Sequence, residues 1–361
     1  MHIIRTTYFQ VDQTPLLHGA VFPTLERLMV SHPQIRPMFR FHWSQGPHID
    51  CAFDVDEEQF QAEVWPTINA AFTEWLRDNP SQRGLGEAFL DQSRRMALAE
   101  GWRGPIEPVL GNNMVFVAPY DWPDPVNSKR LANIRNEFLL DTFGTVLKLA
   151  KLRAQGRNSL MLQAMRLLAG LGRLRRRGDF DFWPLSMSAH AKLFFLAHPQ
   201  SEELFETSAG KITKVVHSAV APICDRDAPI PDDLVEWHLA LQKLDLAVMD
   251  LLEEEPVLGE GPEIENPLHI FDNPGDAKAK QNAVQDIFGN EALQAAFRTP
   301  CHAQYRILLN MIYVALASAT LSPSERAFSC FALHSVLAKY TPESIEAAGV
   351  RLREMAELAN A

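Results

Sequence analysis

Phe39-Arg40-Phe41-His42-Trp43-Ser44-Gln45-Gly46-Pro47-His48-Ile49-Asp50-Cys51-Ala52-Phe53 decides how the first third of this chain folds. Two alternating runs, Met38 to Trp43 and His48 to Val55, flank Ser44-Gln45-Gly46-Pro47. Side chains alternate across a strand, and a Gly-Pro step punctuates one, so the stretch reads as a β-hairpin. Its turn gathers two imidazoles, His42 and His48, and the Trp43 indole.

Working outward, Ile3 to Val11 reads as a strand, and Leu16 to Val30 as a helix with Thr14 as cap and Pro15 at its first position. After the hairpin, Phe60, Val64, Ile68, Phe72 and Trp75 recur at three- and four-residue spacing. They mark an amphipathic helix from Glu57 to Leu76, which Pro66 should bend. Met114 to Ala118 is a further strand. The order strand-helix-strand-strand-helix-strand predicts an antiparallel sheet with helices on one face, in a ferredoxin-like arrangement. From Ser128 onward the pattern turns helical, with segments near 129–155, 158–174, 186–198, 201–219, 231–254, 278–298, 302–320, 323–339 and 342–359. Ser201, Asp232, Ser322 and Thr341 stand at helix starts. Residues 253–267, acidic and rich in Pro and Gly, read as a long exposed loop able to cover a cleft. The expected class is α+β: a sheet-containing part over 1–125, packed on a mainly helical part over 126–361, in one integrated domain.

Composition narrows the function classes. With 47% hydrophobic and 22% charged residues the chain is an ordinary globular one, and no apolar run is long enough to span a bilayer. The start, Met1-His-Ile-Ile-Arg-Thr-Thr, lacks a secretory pattern, and the four cysteines are scattered, as in reduced thiols. Both point to a cytoplasmic protein. The phosphate-cradling patterns G-x-x-x-x-G-K-[ST] and G-x-G-x-x-G after a strand are absent, as are H-E-x-x-H and G-x-S-x-G. His42 and His48 show no pattern of Cys or supporting acids that would complete a zinc site. No cofactor and no metal are expected.

Charge is unevenly spread. The net charge is −11, yet no carboxylate falls between Asp141 and Asp179, where Lys148, Lys151, Arg153, Arg157, Arg166, Arg173, Arg175, Arg176 and Arg177 cluster. Such a band attracts an anionic partner at low salt. A peptide with carboxylates and a tRNA both qualify, but no aromatic residue interleaves the cluster to stack on bases, which favours the peptide. A solvated helix surface and pairing with Glu253-Glu254-Glu255 remain open alternatives.

The Gly46-Pro47-His48-Ile49 step resembles the hairpin in the C-terminal domain of lantibiotic dehydratases and in the stand-alone thiopeptide-type bacteriocin biosynthesis proteins. Trp183-Pro-Leu-Ser-Met-Ser-Ala-His-Ala-Lys-Leu-Phe-Phe-Leu196 is similar to the family's Ser-x-x-Ser-His-x-x-x-x-Leu helix. Tyr305-Arg-Ile-Leu-Leu-Asn-Met-Ile-Tyr-Val-Ala-Leu316, followed by Leu321-Ser-Pro-Ser-Glu-Arg326, looks like its closing pair of helices. Each motif is short and has a structural explanation of its own: Ser322 is a good cap, and His190 can simply pack. Members that eliminate glutamate carry arginines where this chain has Asp50 and Ala52, an Arg-Tyr-Gly-Gly element that Ala118 to Pro125 lacks, and a histidine where Asn310 stands. The resemblance is therefore to the diverged pyridine-synthase-like members, which join two dehydroalanines of a precursor peptide and expel water and the leader. It implies His48, His190, Tyr305, Asn310 and Tyr313 as catalytic groups converging on one cleft. It also implies a leader-bearing, dehydrated precursor peptide as partner, with the basic band as its docking surface. A non-catalytic or tRNA-contacting subunit of a split dehydratase is the alternative, and a homodimer stays open.

Overall fold

The computed structural model describes residues 1–10, 12–100, 104–122, 128–174, 182–225, 227–255 and 300–337. The fold is α+β, as expected. Four strands, β1 (His2–Thr7), β2 (Pro37–His42), β3 (His48–Phe53) and β4 (Met114–Ala118), form an antiparallel sheet in the order β2-β3-β1-β4. That order is the ferredoxin-like one anticipated from the element sequence. The hairpin closes as its sequence requires: Gln45 and Gly46 both take positive φ (58° and 110°), and a Cβ on Gly46 would stand 2.7 Å from the Phe9 ring. Every residue of β3 is buried, so both faces of the sheet's centre are covered.

Helix α1 (Phe22–Ser31) follows a turn, Thr14–Leu16, and a π-helical turn, Leu17–Val21. Thr14 lies inside the first turn rather than capping it; the Asp12 carboxylate accepts from the Thr14 N–H at 2.9 Å. Helix α2 (Trp65–Asp78) is likewise preceded by Glu57–Gln59 and a π turn, Phe60–Val64. Pro66, with no N–H to give, sits where the hydrogen-bond register changes, and Phe60, Val64, Ile68 and Phe72 are fully buried. The indole of Trp75 lies against Gly19, where no side chain would fit: an added Cβ would come within 2.1 Å of it. Helix α3 (Glu87–Glu100) was not foreseen, and β1 ends at Thr7 rather than Val11.

The later helices are α4 (Lys129–Gln155), α5 (Arg157–Ala169), α6 (Phe182–Ala197), α7 (Ser201–Cys224), α8 (Val235–Glu254), α9 (Pro300–Ser318) and α10 (Pro323–Leu337). The helix expected over 158–174 breaks at Gly170, leaving Leu171–Leu174 as a separate turn. The helices expected over 278–298 and 342–359, the start at Thr341 and the acidic loop from residue 256 fall outside the described residues.

Two compact units emerge, Met1–Lys151 with Ala317–Thr320, and Leu152–Leu316 with Leu321–Ala361. The first thus reaches through most of α4. In the second, α10 buries Phe328, Cys330, Leu333 and Val336 while packing on α5, α6 and α7. Among the described residues no helix is long and apolar enough to cross a membrane, and no three metal-ligating side chains are grouped to hold an ion.

Candidate functional site

Strand alternation puts Arg5, Arg40, His42, His48 and Asp50 on one face of the sheet, with Arg5 and Arg40 directly opposite Asp50 on either side. Arg5 donates to Asp50 at 2.7 and 3.0 Å and to Asp121 at 3.0 Å. Arg40 donates to Asp50 at 3.2 Å and to Asp121 at 3.0 Å, and lies 4.6 Å over the Trp122 ring. Burial opposes ionisation of Asp50, but His48 and Arg5 override it and hold the carboxyl well below the usual range. His48 is fully enclosed. Its Nδ1 donates to the Gly46 carbonyl at 2.8 Å, and its Nε2 stands 3.7 Å from Asp50, too far for a hydrogen bond. Its neighbour His42, stacked on Trp43, is pushed down to about 3 by burial and then by Arg40. Arg5 on β1 and Arg40 on β2 are thus each already satisfied by carboxylates.

The second cluster joins α6, α9 and α10. His190 on α6 meets the Tyr313 ring edge-on at 5.2 Å between centroids. Arg326 on α10 lies over the same ring at 4.6 Å, and the Tyr313 hydroxyl shares a 3.4 Å hydrogen bond with the Cys330 thiol. Burial, and then the Arg326 cation, push the His190 imidazole down to about 4, so it is neutral at pH 7. Burial, and then Cys330, raise the Tyr313 phenol; Tyr305 on the same helix adds to the rise. A half-buried neutral imidazole beside a guanidinium can take a proton while the cation receives the negative charge that forms. Tyr313, with its hydroxyl turned inward to Cys330, is suited to positioning the other two.

The sequence-derived residues fall in different units. His190, Tyr305 and Tyr313 belong to this helical cluster, Asn310 is exposed on α9, and His48 is in the first unit. Arg326 and Cys330 were not singled out from the sequence. Arg326 closes the quoted Leu-Ser-Pro-Ser-Glu-Arg motif, but its ring contact depends on how two helices meet.

The basic band is engaged within the units. Lys151 pairs with Glu26, Arg166 with Asp233 at 2.9 Å, and Arg153 grips Glu325 through two bonds of 2.6 and 2.8 Å. Arg157 also reaches Glu325, at 2.9 Å, while Arg173 donates to carbonyls at the end of α7, to Asp225 at 2.7 Å among them. Lys148 lies on α4; Arg175, Arg176 and Arg177 fall outside the described residues. Beside this band, α5 and α7 border a shallow groove of about 400 Å³, lined by Leu152, Leu162, Arg166, Ala219 and Pro222.

No family model matches the chain, and no curated protein matches it. Solved structures do. The pyridine synthase TbtD from thiomuracin biosynthesis superposes with a TM-score of 0.68 at 20% identity, over 94% of this chain and 97% of that one. The structure of TsrL does so with a TM-score of 0.58 at 13% identity, over 98% of this chain and 97% of that one. The fold is common to all three.

Proposed function

We propose that this chain is a tailoring enzyme for a ribosomally made peptide: it binds the leader of a precursor and acts on dehydrated Ser/Thr residues by cycloaddition and elimination. The observation that carries this reading is the likeness to a pyridine synthase along nearly the whole of both chains. The chemistry such an enzyme performs would fall to the His190–Tyr313–Arg326 cluster. One dehydroalanine reacts as the iminol tautomer of its amide, giving a 2-azadiene. His190 takes the amide N–H proton, Arg326 stabilises the charge developing on the oxygen, and a proton returned to that oxygen completes the tautomer. Two carbon–carbon bonds to the second dehydroalanine close the ring. Loss of water, and of the leader as its carboxamide, makes the ring aromatic. Holding the two alkenes together supplies much of the acceleration. Leader docking is assigned to the basic band, where charge reversal at Arg175, Arg176 and Arg177 should weaken leader affinity and flatten its salt dependence.

The test is a synthetic leader-bearing peptide with two dehydroalanines, followed by mass spectrometry. The wild-type chain should release water and the free leader. His190→Asn should slow release by about 100- to 10,000-fold, the usual contribution of a general base, with an unchanged melting temperature. Because the imidazole is neutral above about pH 4, the wild-type rate should stay level from pH 7 towards 4 rather than fall near 6.5. No release by the wild-type chain, or full activity in His190→Asn, would overturn the respective parts of the proposal.

A further inference from the structure

Arg306 on α9 differs from the other half-buried arginines among the described residues. Arg36, Arg153 and Arg166 hold carboxylates, Arg135 holds Tyr120 and Asn136, and Arg173 holds helix carbonyls. Arg306 makes no hydrogen bond and no ion pair, and burial lowers its pKa with no carboxylate to offset the effect. Arg326 comes nearest to it, since its guanidinium contacts the Tyr313 ring alone. A partly desolvated cation without a partner costs free energy that nothing among the described residues returns. An anion carried by a ligand would supply that partner.

Helical spacing says how that anion would be used. Arg306, Asn310 and Tyr313 stand at i, i+4 and i+7, along one stripe of α9. Asn310 is exposed, and its amide can both donate to and accept from a peptide backbone. Tyr313, at the far end, carries His190 and Arg326. The planar fork of a guanidinium matches a carboxylate, which a peptide offers through Asp, Glu or its C-terminus.

We propose that this face of α9 is a substrate ruler: Arg306 receives a peptide carboxylate, Asn310 pairs with the peptide backbone, and the reacting residue lies beside His190. The assignment of the reacting end rests on the function proposed above. Seven helical residues span about 10 Å, which an extended peptide covers in about three residues. The favoured substrate carries its acid three positions from the reacting dehydroalanine.

The experiment uses the full chain and fluorescent synthetic peptides with one dehydroalanine and a single glutamate two, three, four or five positions away, each with a glutamine twin. Anisotropy reads binding whether or not turnover occurs. The glutamate peptide with three-residue spacing should bind about tenfold more tightly than its twin, as expected for a charged hydrogen-bonded pair. Arg306→Gln should erase that preference without changing the melting temperature, and Arg306→Lys should restore part of it. No preference at any spacing, a preference peaking at another spacing, or one that survives Arg306→Gln overturns the ruler. A glutamate preference with this spacing but no turnover of any leader-bearing substrate supports the carboxylate site and counts against the ring-forming chemistry instead.

Discussion

Arg5 and Arg40 on the sheet each meet two carboxylates, whereas Arg306 and Arg326 among the helices meet none among the described residues. Both sets are at least half-buried, so both have given up water. The sheet network is closed: its two cations, Asp50 and Asp121 satisfy one another, and an incoming substrate would have to break existing bonds to use them. The helical cluster is open. Its imidazole is kept neutral and its cations are uncommitted, so it can respond to a group arriving from outside. The contrast teaches that burial and charge alone do not tell the two clusters apart; the unspent valence of the buried groups does.

Three substitutions can break or sharpen that contrast. Asp50→Ala should have the largest effect. It leaves Arg5 and Arg40 facing each other with only Asp121 between them, and removing one partner from a buried pair typically costs about 3–5 kcal/mol. Urea unfolding would measure it, and a cost below about 1 kcal/mol would mean the closed network is not integral to the fold. Ser322→Ala comes next. Ser322 and Glu325 form a capping box at the start of α10, with the Ser322 N–H donating to Glu325 at 2.9 Å and the Ser322 hydroxyl accepting from the Glu325 N–H at 3.3 Å. Losing the cap should cost about 1 kcal/mol in the same assay. Arg326→Gln should be the mildest for stability, below about 1 kcal/mol, because only a cation–π contact is lost. Its signature is electrostatic: without the adjacent cation, His190 protonates more readily, so its pKa should rise from about 4 in an NMR titration. An unchanged His190 titration would show that the two groups are not coupled.

The sheet was legible because strands announce themselves locally. Alternation on either side of Gly46-Pro47 sets the hairpin, and the helix–strand order sets the four-strand topology. Asp50 was visible as a departure from an arginine pattern, but its partners were not. Arg5 lies 45 residues away and meets it through strand register, which a single run of sequence does not reveal. Helix α3 was missed because Glu87-Ala-Phe-Leu-Asp-Gln-Ser-Arg-Arg-Met carries a weak apolar stripe beside the loop residues Gly84 and Gly86. The helical site was half-visible. Periodicity places Tyr313 and Arg306 on one stripe, but the inward turn of the Tyr313 hydroxyl depends on Cys330, which another helix supplies.

Glu325 does more than cap α10. One carboxylate receives Arg153 from α4, Arg157 from α5 and both the N–H and the hydroxyl of Ser322, so the turn at Gly156 and the start of α10 are riveted at a single point. Burial favours its neutral form, yet Arg153 and Ser322 hold its pKa at about 2. The stability this adds is present in full above the unfolded value of 4.5 and is lost as pH falls through about 2. A single proton therefore unfastens two joints at once. In hydrogen exchange, the amides flanking Gly156 and those opening α10 should lose protection together, as one opening unit rather than two.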